Sequence, residues 1–229
     1  MLYAIGDLHL SFQSDKPMDI FGEAWANHEN RLIEGFSTLT EEDTCVICGD
    51  ITWSMSIEEA LSDFMFIEKL PGKKIILKGN HDYWWSTASK AKKFFEKNEI
   101  KTIDILHNNC FFVDEDTAVC GTRGWFYEEM RHTEHDKKIM NRELMRLEAS
   151  LQMAGDAKRK YCFFHYPPIF GSYVCHEMIK IMVRYGVTDC WYGHIHGRAH
   201  KMAFTGTSEG IKYHMVSADY LGFVPEKIL

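Results

Sequence analysis

Lys74-Ile75-Ile76-Leu77-Lys78-Gly79-Asn80-His81-Asp82 sets a short apolar run directly against a glycine, an amide, an imidazole and a carboxylate. A continuous apolar run of this length suits a strand covered on both faces, and Gly79 lets the backbone turn sharply where it ends. The same grammar recurs along the chain. Leu2–Ile5 runs into Gly6-Asp7-Leu8-His9, Thr44–Cys48 into Gly49-Asp50, Tyr161–Phe164 into His165, and Cys190–Tyr192 into Gly193-His194-Ile195-His196. In open α/β sheets, ligands bind beyond the carboxyl ends of the strands. A single Gly-Asp is ordinary turn chemistry. Five strand ends that each deliver an oxygen or nitrogen donor are a different matter.

Working outward, Ala118–Cys120 and Thr188–Tyr192 read as further buried strand segments. Helical spacing predicts helices over Asn27–Leu39, Ser56–Lys69, Thr87–Lys97, Glu134–Met153 and Val174–Tyr185. Ser56 with Glu59 forms a capping-box pattern, and Gly155 and Gly186 follow two of the predicted ends. Lys201–Thr205 and Ile211–Val216 flank Gly206–Gly210 and read as a β-hairpin with a longer loop. Nothing resembles a linker or repeat, so one α/β domain over residues 1–229 is the economical expectation.

A net charge of -7 disfavours binding to extended nucleic acid, which needs a basic face to displace counterions. It leaves room for a small anionic substrate, because bound cations supply local positive charge. The seven Cys are an odd number, spread over a chain of 229 residues that is too large to depend on disulfides. Cys45, Cys48, Cys120, Cys162 and Cys190 lie in apolar runs, and in a strand Cys45 and Cys48 point to opposite faces. The expectation is a cytoplasmic protein with no signal peptide and no membrane span.

With these motifs in place, the chain resembles the calcineurin-like metallophosphoesterases. Asp7-x-His9, Gly49-Asp50, Gly79-Asn80-His81-Asp82, His165 and Gly193-His194-x-His196 follow the family's order and cover most of the chain. The resemblance implies a four-layer α/β/β/α sandwich, two mixed β-sheets flanked by helices, with the metal site at the sheet edge. It implies two metal ions, one held by Asp7, His9, Asp50 and His196, the other by Asp50, Asn80, His165 and His194, with Asp50 shared. Mixed imidazole and carboxylate donors suit Mn, Fe or Zn better than Ca or Mg. By the same resemblance, His81 protonates the leaving oxygen and Asp82 orients its ring. Two departures matter. Leu10 stands where many family phosphatases carry Gly, and Ile51-Thr52-Trp53 replaces the Asp-Arg-Gly form of protein phosphatases, which argues against a phosphoprotein substrate.

Around these motifs, Trp53 and Trp84 are candidates to line the mouth of the site, against the plainer reading that such rings lid the sheet edge. Arg123, in the Gly121–Gly124 turn, is the candidate for an additional phosphate contact. Tyr166-Pro167-Pro168 reads as stiffening of the His165 loop, and His132 with His135 as a solvated helix start. The function expected is hydrolysis of a small phosphomonoester or phosphodiester. A nuclease of the same fold and a non-catalytic metal-binding scaffold are the alternatives.

Overall fold

The computed structural model describes residues 1–126 and 133–229, so His132 lies outside the described residues. In the first half the chain runs β1 (Leu2–Ile5), α1 (His28–Phe36), β2 (Thr44–Ile47), α2 (Leu61–Lys69), β3 (Lys73–Ile76), α3 (Ala88–Lys97) and β4 (Ile103–Ile105). There follow β5 (Phe111–Phe112), β6 (Thr117–Thr122), α4 (Glu134–Met153), β7 (Arg159–Phe164), β8 (Ile169–Phe170), β9 (Tyr173–Val174) and α5 (His176–Arg184). The last part holds β10 (Asp189–Tyr192), β11 (Thr207–Ser208), β12 (Ile211–Met215), α6 (Ala218–Leu221) and β13 (Glu226–Lys227).

Two mixed sheets result. One has the order β13-β1-β2-β3-β4, parallel except for β13 at its edge. The other has the order β11-β12-β10-β7-β6-β5, with four parallel strands between antiparallel edges. Alternation along each strand explains the layering, since successive side chains point to opposite faces. Leu2, Ala4, Val46 and Ile75 of the first sheet meet Val119, Phe163 and Trp191 of the second in one apolar layer. Ile5, Ile47 and Ile76 face the other way, against Phe36, Phe64 and Phe95 of α1–α3. Cys162, Phe164 and Tyr192 face Leu147 of α4 and Met182 of α5. The four layers are therefore α/β/β/α, and each fully buried aromatic or aliphatic side chain contributes about 1.5–3 kcal/mol.

Register places the site. Ile5, Ile47 and Ile76 are aligned across β1, β2 and β3, and Thr122, Phe164 and Tyr192 across β6, β7 and β10. The segments that follow them emerge side by side at one edge of the sandwich.

Several expected boundaries move. Only half of the Ser56–Glu59 box forms: Glu59 N donates to Ser56 Oγ at 3.3 Å, but the Glu59 carboxylate accepts from Met55 N at 3.0 Å instead of Ser56 N, and α2 begins only at Leu61. Val174 pairs with Ile169 in a small hairpin, so α5 begins at His176. The expected strand Lys201–Thr205 is not one, because Gly197–Met202 forms a 3-10 helix. The hairpin partner of β12 is β11, inside the expected loop, because Glu209 and Gly210 both take positive φ and close a two-residue turn. Cys45 and Cys48 do face opposite layers, and the seven thiols are free. No described helix is long and apolar enough to cross a membrane.

Candidate metal centre

Each candidate ligand sits within a few residues of a strand's carboxyl end, four of the seven in strained backbone. Asp7, His9, Asp50 and His194 all take positive φ, between 47° and 72°. Left-handed non-glycine residues are costly and collect where the surrounding structure over-determines them, as at functional sites. Two glycines permit the close packing. A Cβ on Gly79 would overlap the Asp50 carboxylate, and one on Gly193 would overlap that of Asp7. The acidic side chains are then fixed by backbone N–H groups. His81 N donates to Asp50 Oδ1 at 2.8 Å, and His194 N donates to both oxygens of Asp7 at 2.9 and 3.0 Å.

Two groups of donor atoms converge, Asp7 with His9 and His196, and Asp7 with Asp50 and His165, each within 4.8 Å. Asp50 spans both, its Oδ2 lying 3.6 Å from His9 Nε2 and its Oδ1 3.6 Å from His165 Nε2. Asn80 Oδ1 is 2.5 Å from His165 Nε2. The ring of His194 stands slightly apart, 5.0 Å from that of His165 between centroids and 4.4 Å from Tyr166. All seven expected ligands are thus brought together at the sheet edge. Asp7 is more central than the sequence suggests, since it belongs to both groups.

The electrostatics fit a cation site. Burial pushes the Asp7 carboxyl up to about 8 against the pull of His196, with the Asp50 charge adding to the rise. Burial likewise lifts Asp50 to about 6. Burial holds His165 down at about 3 and His194 at about 2, and drives His9 well below its usual range. Three imidazoles kept neutral beside two crowded acidic groups suit a divalent ion, whose binding displaces the protons its ligands still hold. Ring orientation is also prepared. His165 Nδ1 lies 3.0 Å from Cys48 O, and His196 Nδ1 lies 2.9 Å from Asp219 Oδ1, which turns the Nε2 atoms inward. Burial opposes charge on His196, yet the Asp219 hydrogen bond and the Asp7 and Asp50 carboxylates hold it up at about 9. Asp219 escaped the sequence reading, and nothing in its local sequence marks it.

His81 lines a cleft of about 330 Å³ together with His9, His196, Trp53, Trp25, Phe21 and Met18. Its ring packs 4.3 Å from Trp53, and burial lowers its pKa. Asp82 does not orient it. The Asp82 carboxylate accepts from the N–H groups of Gly79, Asp50, Ile51 and Thr52 and from the Trp84 indole, at 2.6 to 3.4 Å, so no capacity is left for the imidazole. The partner of His81 Nδ1 is Tyr83, whose hydroxyl lies 2.9 Å away.

Of the two tryptophan candidates, Trp53 is a wall of the cleft and stacks on His9 at 4.9 Å. Trp84 is not: it is buried against Phe64 and serves Asp82. Arg123 points elsewhere, into a second cavity, though its carbonyl accepts from His165 N and Tyr166 N. Trp25, another wall of the cleft, also escaped notice, because it lies far from every motif in sequence.

Similar folds occur among solved structures. A phosphopantetheinyl hydrolase from Mycobacterium tuberculosis is 11% identical with a TM-score of 0.60, over 100% of this chain and 95% of its own. The protein of unknown function AQ665 from Aquifex aeolicus is 15% identical with a TM-score of 0.52, over 99% and 94%. Identities this low speak for the fold alone. No curated protein sequence matches the chain. The pattern of the calcineurin-like phosphoesterases, however, matches residues 2–198, which contain every candidate ligand, and the chain belongs to that family.

Proposed function

We propose that this protein is a phosphoric ester hydrolase with a two-metal centre, acting on a small organic phosphomonoester or phosphodiester. The observation that carries the reading is the Asp50 carboxylate, with one oxygen toward His9 and Asp7's group and the other toward His165 and Asn80. A shared carboxylate suits two cations at the ~3.5–4 Å spacing of two-metal hydrolases. Asp7, His9, Asp50 and His196 would hold one ion, and Asp50, Asn80, His165 and His194 the other. When bound, such ions neutralise phosphoryl charge and acidify water. The imidazole and carboxylate set favours Mn, Fe or Zn.

The chain's own groups do the rest. His81, held at Nδ1 by the Tyr83 hydroxyl, offers its other ring nitrogen to the cleft and donates a proton to the departing oxygen. Trp53, Trp25, Phe21 and Met18 exclude water and present apolar walls to the organic part of the substrate. The acidic chain favours a small phosphorylated molecule over extended nucleic acid. Free buried thiols favour the cytoplasm, and the shared inter-sheet core favours one domain.

The test is hydrolysis of para-nitrophenyl phosphate and its bis ester, with and without Mn²⁺, alongside metal analysis of the purified protein. Turnover that depends on metal, with close to two ions per chain, is expected. Bound metal with no turnover on these or on a broad phosphate panel would favour a non-catalytic scaffold instead.

A further inference from the structure

Behind the Lys78-Gly79-Asn80 and Arg123 segments lies a second cavity of about 320 Å³, within the range of small-molecule pockets. Lys78, Arg123, Arg142 and Arg146 line it, opposed by one carboxylate, Glu143. That concentration of cations stands out in a chain of net charge -7. Glu143 is buried and already committed. Its Oε2 accepts from Thr122 Oγ1 at 2.5 Å, and its Oε1 lies 2.5 Å from Arg146 and 3.7 Å from Arg123.

The other donors are left over. Among the described residues Lys78 Nζ has no hydrogen bond or ion pair, Arg123 Nε is buried without a partner, and Arg142 reaches only the Lys138 carbonyl. A neighbouring group registers the resulting potential: burial and then the Arg146 charge depress His107, whose ring lies tilted against Trp85 at 5.5 Å on the cavity wall. Partly buried cations without counter-charge are costly, and arginine forks match the oxygens of a phosphate.

We infer that this cavity is a second, metal-independent binding site for a small phosphorylated molecule, held by Lys78, Arg123, Arg142 and Arg146. It is distinct from the cleft of His81 and does not rest on the proposed hydrolysis.

The two sites carry separate reporters, the indole N–H of Trp85 at the cavity and of Trp53 at the cleft. In ¹⁵N-labelled protein loaded with diamagnetic Zn²⁺, these resonances are assigned with Trp85→Phe and Trp53→Phe and followed while inorganic phosphate is added. A saturable shift of the Trp85 signal is expected in the wild type and in Lys92→Gln/Lys93→Gln, which removes two exposed cations elsewhere. In Arg142→Gln/Arg146→Gln, the affinity read at Trp85 should fall at least tenfold, with Trp53 responding as before. Arg142→Gln alone, on an exposed helix face, should weaken it less and guards against misfolding of the double variant. A Trp85 signal that stays still while Trp53 responds, or that titrates alike in wild type and double variant, overturns the inference.

Discussion

The Asp82 carboxylate accepts four backbone N–H groups and one indole, tying the Gly49–Thr52 turn to the Gly79 turn. Removing it strands buried donors at about 1–3 kcal/mol each. Asp82→Ala is therefore expected to lower thermal stability sharply and to lose metal, as calorimetry and metal analysis would report. His81→Ala has no such duty: it should keep metal and fold while kcat falls about a hundredfold or more. Tyr83→Phe, losing only the hydroxyl beside Nδ1, should cut kcat by less than His81→Ala; equal losses would mean that Tyr83 does more than orient the ring. Asp219→Asn should weaken metal affinity about 10–100-fold, measured by chelator competition, with kcat near normal at saturating metal. The candidate ligands were legible in the sequence because donor type and strand-end position travel together in short motifs. Asp219 was not, because its role exists only where the chain after β12 returns to His196.

Among the elements, strands buried on both faces announced themselves, since β1 is apolar throughout and β2, β3, β7 and β10 open on polar or charged residues but close on apolar runs. β4, β5 and β13 are two or three residues long, too short for any period to show. Between α2 and β3 the join is made by Lys74, a buried amine that donates to the Leu70 and Gly72 carbonyls at 2.6 and 2.7 Å. Burial lowers it to about 8, against roughly 10.4 in an unfolded chain. Between those values the unfolded state binds the extra proton, so this amine's contribution to stability rises with pH from about 8 to about 10. Below 8 both states are charged and the contribution is flat. Buried thiols, raised above their usual range, oppose the trend as pH climbs, so the useful quantity is a difference. Wild-type minus Lys74→Met unfolding free energy should grow across that window; a constant difference would mean that Lys74 titrates as an exposed amine does.

Across the whole molecule, the two sheets share one apolar layer, and the ends that carry the candidate ligands meet at one edge of the sandwich. Asp7, His9, Asp50 and Asn80 come from loops of the first sheet, and His165, His194 and His196 from the second. The sandwich class followed from the motifs' family resemblance rather than from periodicity, which cannot say which strands share a sheet. Bound ions would clamp one sheet to the other, offsetting the repulsion between Asp7 and Asp50 and the strain of four left-handed residues. A ligand present at a thousand times its Kd stabilises by about 4 kcal/mol, and each kcal/mol moves Tm by roughly 2–4 °C at this chain length. Chelation should therefore lower Tm by roughly 10 °C for each ion lost. Hydrogen exchange should quicken at the amides of His81 and His194, which bind the ligand carboxylates, and stay slow at Val46 and Phe163 in the inter-sheet layer. Uniform quickening would mean that the ions support the whole core, and an unchanged Tm that they bind without clamping the sheets.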